Sequence, residues 1–440
     1  SRSTTMVNQH QLEQSLSHTG SPQLTPLWVL KAIWFVGVGA NSSLFRFITV
    51  FYHSVGLDTA HIGFLQLVNP WVTFCGSFVW ASICDRFGVY KKVLIATNLL
   101  GAAVVCCLLI PAVTSHFAII VICMIVGPAF LASRAGVTDA LTLKVKAEYD
   151  AVEPAARSLK QSYGRQRMWG AAGYGGFGLL SGLLSDHFGD GSMFVCFGAC
   201  LGTTVLIIST QLPADTGIQR QAASVATTRS GTPVSFTSVF CRFEVLWFFA
   251  NLVMYGIHMA LVESFLFVYL KRDFPTVNST LLGLSVATMC LFELPAFYYT
   301  QELFDRFDLK ALLTVCHAIF AVRVLAYSFL PEAQPWLVLA VEPLHGITMA
   351  AMWSCSVEFG RRLAPESSRA RMQALASGIY YRAASGAGSL LWGYLTRPVP
   401  DGHGFRPMYR LACITILLWS VLWNIGWRLQ ACVAGSGRAV

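Results

Sequence analysis

Apolar runs of about twenty residues, separated by short charged or turn-forming breaks, recur along the whole chain. At 1.5 Å per residue, such a run matches the ~30 Å hydrocarbon core of a bilayer. The pattern predicts twelve spans, near 27–52, 62–84, 93–114, 116–135, 167–185, 192–212, 243–270, 280–301, 309–330, 335–358, 371–395 and 407–428. Between the two sets of six lies 213-PADTGIQRQAASVATTRSGTPVSFTS-238, polar and rich in Ser, Thr and Gly, which reads as a flexible linker. The short alternating segments of a membrane β-barrel are not seen. The expectation is an all-α integral membrane protein with twelve transmembrane helices in two six-helix, pseudo-symmetric bundles. The chain then divides into a polar tail (1–25), a first bundle (26–212), a linker (213–240), a second bundle (241–428) and a second tail (429–440).

Composition supports this. The chain is 55% hydrophobic and 12% charged, where soluble domains carry about a quarter charged residues. The net charge of +9 is no signal for nucleic acid, because the basic residues follow membrane topology. With the N-terminus inside, 22 of the 31 Lys and Arg fall on the inner side and five on the outer, the remainder lying within spans. That is the positive-inside bias, and it predicts that both termini are cytoplasmic, in a plasma or organelle membrane. Residues 1–25 lack an apolar core, so the first span is expected to direct its own insertion. The 13 cysteines are scattered, mostly within spans, without metal spacing, and no phosphate-binding G-x-x-x-x-G-K-[ST] occurs. No cofactor and no metal are expected; the implied partners are membrane lipid and a small solute, with the chain a monomer.

The two halves share a motif. After span two comes 81-ASICDRFGVYKK-92, and after span eight 301-QELFDRFDLKAL-312, 220 residues later at the equivalent turn. Repeated halves mark transporters, and an Asp-Arg pair at a tight turn can cap one helix and bridge to its neighbours. Asp85, Arg86, Gly88, Lys91, Asp305 and Arg306 are therefore candidates for conformational gating. With Asp308 where the first copy has Gly88, the second turn is expected to be looser.

These residues resemble the major facilitator superfamily, whose loop between spans two and three carries G-x-x-x-D-R-x-G-x-K/R-K/R; here the leading glycine is Ala81. A narrower resemblance starts at 163-YGRQRMWGAAGY-174, which looks like the opening of span five in the lactose-permease-like branch. In the same order, 138-TDALTLKV-145, 322-VRVL-325 and 344-LHGIT-348 resemble the branch's spans four, nine and ten. The resemblance implies a secondary transporter and assigns Arg167 and Asp139 as a sugar-binding pair. Guanidinium and carboxylate forks do match vicinal hydroxyls. Tyr174, two helical turns beyond Arg167, takes the place of the branch's ring-stacking aromatic. Arg165 keeps the role of an anchor at the helix mouth. The same pair could hold a nucleoside or another hydroxylated solute, or simply neutralise itself.

The second half carries Glu263, Glu293, Arg323, Glu342 and His345 within spans. Each intramembrane charge costs roughly 2.5–3.5 kcal/mol even on lenient scales, so these are expected to pair and to face an aqueous cavity. Arg323, His345 and a nearby carboxylate resemble the branch's proton-coupling group. The branch's proton-carrying Glu, however, falls here on Thr348. Coupling through Glu342 or Glu293, an uncoupled facilitator, and a purely structural charge network remain open. Arg46 and Arg382 add cavity charge that would suit an acidic solute, and Asn41, Gln66 and Asn69 are possible polar liners. A non-transporting receptor of the same fold is the reading from another class; no nucleophile–base set supports an enzyme. Two strings are set aside: 53-HSVGLD-58, an acyltransferase-like spacing in a tight loop, and the glycosylation acceptor at Asn278, too near span eight.

Overall fold

A computed structural model describes residues 25–134, 136–139, 141–142, 163–212, 242–364 and 369–436. Twelve spans appear in the predicted order. They are Leu27–Leu44 continued by Ile48–Ser54, Thr59–Phe87, Tyr90–Cys106, Phe117–Leu131 with a continuation to Asp139, Tyr163–Phe188 and Ser192–Gln211. The second set is Phe243–Asp273, Ser279–Tyr298, Leu309–Ser328, Val338–Leu363, Arg369–Leu395 in three pieces, and Phe405–Ser436. Ten of these are long and apolar enough to cross a membrane by length and composition alone. The other two depart for visible reasons: span five is diluted by glycine, and span eleven is interrupted by a π-helical stretch, Ile379–Ala384. The predicted linker and the 1–24 tail lie outside the described residues.

The spans are apolar on the outside as well as the inside, as a bilayer requires. On span twelve, Ile414, Leu418, Val421 and Ile425 are exposed, while Trp419, Trp423 and Trp427 are buried. The tryptophan face packs on spans seven and nine, with the Trp419 ring nitrogen donating to Asn251 Oδ1 at 2.9 Å and Trp423 to Lys310 O at 3.4 Å.

The halves meet along two pairs of spans, two against eleven and five against eight. Both contacts are tightest at the end remote from the termini. A Cβ on Gly283 of span eight would lie 2.6 Å from Gly178 O of span five, and one on Gly182 would run into Ser279 O. The same holds where Gly63 of span two meets Ser389 O and Gly393 meets Thr59 O. Small residues allow this approach of backbones.

Two acidic latches close that end. Asp186, at the end of span five, accepts the backbone N–H groups of Ser279 and Thr280, both at 2.6 Å. It therefore caps the first turn of a helix belonging to the other half. Asp58 begins span two by accepting the N–H of His61 at 2.8 Å, and its other oxygen meets Arg397 of the second half at 3.1 Å. Partial burial opposes ionisation of Asp58, but the His61 N–H, the His61 ring and the Arg397 guanidinium together hold it below the usual carboxylate range. The latch thus stays charged around neutral pH and is lost only as pH falls through that depressed value.

The two motif turns differ. Gly88 ends span two at φ +65°, with its N–H donating to Cys84 O, a left-handed cap that favours glycine. Lys91 donates to Ser209 O at 2.8 Å and Leu212 O at 2.6 Å, so the motif lysine caps span six. In the second copy Asp308 caps span nine through the Lys310 N–H at 3.2 Å. The glycine is replaced by a different device. Arg86 and Arg306 are exposed, and Arg86 stacks on Phe87 at 5.5 Å. The Asp85 side chain lies outside the described residues.

Candidate functional site

Between the halves, starting near mid-span, two cavities adjoin along Val38. One of 410 Å³ is lined by Glu263, Glu293, His345, Tyr380 and Tyr381 from the second half and by Ala171 and Tyr174 from span five. The other, of 610 Å³, is lined mainly by the first half, including Trp34, Asn41, Gln66, Asn69, Thr73 and Arg134, with Arg382 from the second. Its liners run towards the end that carries the termini, away from the two latches. The halves are therefore closed at one end and enclose a cavity, with charged and polar groups on its walls, leading to the other.

Irregular helices place the charges. Span one turns between Leu44 and Ile48, and the turn holds Arg46. From there Arg46 Nη1 reaches Glu263 of span seven, 2.5 Å from Oε2 and 3.0 Å from the backbone oxygen. This ion pair joins the two halves. Arg46 is 7% exposed, whereas the Glu263 side chain is 38% exposed towards the cavity. The second Glu263 oxygen lies 2.7 Å from His345 Nε2, and His345 Nδ1 lies 3.4 Å from Glu342 Oε2. Both are ion-pair distances rather than aligned hydrogen bonds. Tyr327 then donates to Glu342 Oε1 at 3.1 Å. Arg46, Glu263, His345, Glu342 and Tyr327 form one chain of contacts running from the cavity into the second bundle.

Several expectations need correction. Arg323 and Glu342 do not face the cavity; they are 0% and 1% exposed. Arg323 meets no carboxylate within ion-pair distance among the described residues. Its Nη1 donates to Thr348 Oγ1 at 3.4 Å, its Nη2 lies 3.2 Å from Met259 Sδ, and its Nε is unpartnered. Arg323 is buried inside a single half, where the side chains that reach its guanidinium are Thr348 and Met259. Thr348, which stands where the branch has its Glu, is thus a ligand to Arg323. Glu293 does line the cavity, with no hydrogen bond or ion pair among the described residues.

The expected pair of Asp139 and Arg167 is only half visible. Asp139 is half-buried on the continuation of span four, while the Arg167 and Arg165 side chains lie outside the described residues. Tyr174 lines the smaller cavity as expected. Asn41 accepts from Arg134 Nη1 at 3.0 Å, and Arg134 also bonds Gly37 O. Arg382, in the π-helical stretch of span eleven, donates to Thr73 Oγ1 of span two at 2.6 Å, a further polar tie between the halves. Sequence reasoning gave no role to Arg134, although a charge inside a span was signal enough. It missed Tyr327, Tyr380 and Tyr381 for want of any charge to mark them. Of the strings set aside, Asp58 is a latch and Asn278 caps span eight through the Leu281 N–H at 2.9 Å.

Comparison with known proteins agrees with this architecture. The model of the MFS_1 like family matches residues 27–402. The chain is 26% identical over 378 residues to a maltose permease of Geobacillus stearothermophilus, covering 83% of this chain and 87% of that one. It is 27% identical over 141 residues to the major facilitator superfamily domain-containing protein 6-like protein A of Xenopus laevis, over 32% of this chain and 22% of that protein. Among solved structures, the nucleoside transporter NupG superposes with a TM-score of 0.74 at 12% identity, over 91% of this chain and 98% of that one. A D-xylose-proton symporter superposes with a TM-score of 0.63 at 14% identity, over 90% and 95%. With twelve spans in two bundles, paired contacts of spans two with eleven and five with eight, and a family match across most of its length, the chain belongs to the MFS_1 like family of the major facilitator superfamily.

Proposed function

We propose that this protein is a secondary transporter that carries a small hydroxylated solute across its membrane by rocking the two halves about the mid-span cavity. It is not an enzyme. The observation that carries the reading is the cavity whose walls come from both halves and whose polar ties, Arg46–Glu263 and Arg382–Thr73, cross between them. Solute binding can shift such an equilibrium only through contacts that differ between the two states, and ties across the halves are where such differences arise. The pose seen is open towards the end bearing the termini, the cytoplasmic end by the positive-inside distribution.

A sugar or nucleoside-like solute is favoured by the side chains present. Tyr174, Tyr380 and Tyr381 offer ring faces, while Asn41, Gln66 and Asn69 offer amide donors and acceptors for hydroxyls. The maltose permease named above, by its name, handles a hydroxylated solute of this kind. Asp139 and Arg167 are proposed as a further hydroxyl-binding pair, on the strength of the span-four and span-five resemblance. Glu293 is proposed as the proton-carrying group, because its carboxylate is open on the cavity while Glu342 is closed in by Tyr327 and His345.

The test is counterflow in reconstituted vesicles with a panel of radiolabelled sugars and nucleosides. Saturable exchange of at least one solute is expected. Arg167→Ala and Asp139→Ala should each reduce it by at least roughly tenfold, since a charged hydrogen bond is worth ~1.5–3 kcal/mol and ~1.4 kcal/mol is tenfold. Undiminished exchange in both variants would show that the pair does not bind the solute.

A further inference from the structure

The larger cavity carries two positive charges that no carboxylate among the described residues neutralises. Among the described residues Arg134, on the continuation of span four, bonds only neutral oxygens, Asn41 Oδ1 at 3.0 Å and Gly37 O. Arg382 of span eleven likewise bonds only the Thr73 hydroxyl there, at 2.6 Å. No carboxylate lies within ion-pair distance of either, and none lines this cavity among the described residues. Asp139, beyond Arg134 on the same helix, is half-buried but not part of the lining. The acidic groups are segregated on the other wall, where Arg46 and His345 already hold Glu263, and His345 and Tyr327 hold Glu342.

This separation is costly. A charge inside the membrane profile ordinarily finds a counter-charge, and a guanidinium served only by neutral acceptors keeps most of its desolvation penalty. Both arginines are also placed by local departures from regular helix. Arg134 follows the break at Ala132, four residues after Pro128, and Arg382 sits inside the π-helical stretch. π-Helical turns and interrupted spans recur at binding sites because they turn polar groups into a cavity.

From these observations we infer that the cavity is an anion site and that the solute carries a carboxylate or phosphate beside its hydroxyls. The inference rests on the transporter reading and sharpens its substrate class. Planar guanidinium forks bind either oxyanion in bidentate fashion, and Asn41, Gln66 and Asn69 remain on the same walls for hydroxyl groups. Because Arg134 belongs to the first half and Arg382 to the second, an anion held between them ties the halves together on the cavity's open side. Binding of the charged group would then itself favour closure of that mouth and opening of the latched one.

Glucose, glucuronate and glucose 6-phosphate serve as probes, sharing one ring while differing in charge. Thermal stabilisation of the detergent-solubilised full-length protein reads binding, and vesicle counterflow reads transport. Glucuronate or glucose 6-phosphate should stabilise the protein and exchange at least tenfold better than glucose, and comparison of the two separates a carboxylate from a phosphate site. Arg134→Gln and Arg382→Gln should each raise the half-saturating concentration of the anion at least tenfold, with partial recovery in the Lys variants. A fall in stability without ligand identifies a variant that folds poorly, and its Lys counterpart then decides. Glucose performing as well as both anions, with Arg→Gln variants indifferent to charge, overturns the anion site while leaving the transporter reading intact. Binding of an anion, weakened in the Arg→Gln variants, with no flux of any probe keeps the site. Neither binding nor flux for any of the three probes overturns the anion site, and the sugar and nucleoside panel then judges the transporter reading separately.

Discussion

Replacing Glu263 by Gln should reduce solute flux at least roughly tenfold. Glu263 joins the cross-half ion pair to the internal chain, meeting Arg46 through one oxygen and His345 through the other. The amide keeps the shape but removes the charge that Arg46, 7% exposed, depends upon. Arg46 is then left with neutral acceptors, the new amide oxygen and the backbone oxygen at 3.0 Å. Orphaning a fully buried charge costs ~3–5 kcal/mol. Here the Glu263 side chain is 38% exposed to the cavity, so water screens the pair and the cost is smaller. Even ~1.4 kcal/mol is a tenfold change. The double variant Arg46→Gln with Glu263→Gln should recover folded protein relative to Glu263→Gln alone, because no charge is orphaned, yet should not recover flux. Counterflow and the yield of monodisperse protein read the two effects separately. Wild-type flux in Glu263→Gln would remove the cross-half ion pair from the working cycle.

The second large effect is expected at Glu293. A carboxylate that carries a proton must reach water in each state and must lack a permanent cationic partner. Glu293 satisfies both in the pose seen: it lines the 410 Å³ cavity and is held by no ion pair among the described residues. Glu293→Gln should therefore abolish accumulation driven by an imposed pH gradient while leaving solute exchange at equilibrium. The measurement is uphill uptake into vesicles with an acidic exterior, against counterflow without a gradient. Glu342→Gln serves as the comparison. Glu342 is 1% exposed and bonded to Tyr327, so its loss should impair both assays together through the structure. Uphill uptake intact in Glu293→Gln would move coupling elsewhere, and wild-type flux indifferent to pH would make the protein a facilitator.

The sequence made the spans legible because lipid imposes one requirement on every residue they contain. Twenty apolar residues must run together, and their order alone then gives the two bundles. Span five was found in spite of its glycines, since no charged residue interrupts it from Met168 to Ser185. What sequence could not show was where helices break. The turn at Arg46 follows 41-NSSL-44, without proline or glycine to announce it, and the π-helical stretch around Arg382 depends on packing against spans two and seven. For that reason Arg46 was read as one more cavity charge, when it is the partner of Glu263. Arg323 shows the converse. Its resemblance to the branch's proton-coupling group suggested a carboxylate network, but the bundle seats it against Thr348 and Met259. The latch residues were the least legible, because a single Asp at a span end carries no periodicity; only the meeting of two distant loops gives Asp58 and Asp186 their roles.

The central claim is that solute crosses by alternate opening of the two ends, and locking the latched end tests it most directly. Cysteines introduced by Asp58→Cys and Arg397→Cys, with exposed Cys75 and Cys432 replaced, can be joined by a short, reducible bifunctional thiol reagent. Flux through the double variant should stop on joining and return on reduction, while the unjoined variant still transports. Flux that continues with Asp58→Cys and Arg397→Cys covalently tied would contradict passage through this cavity by rocking of the halves.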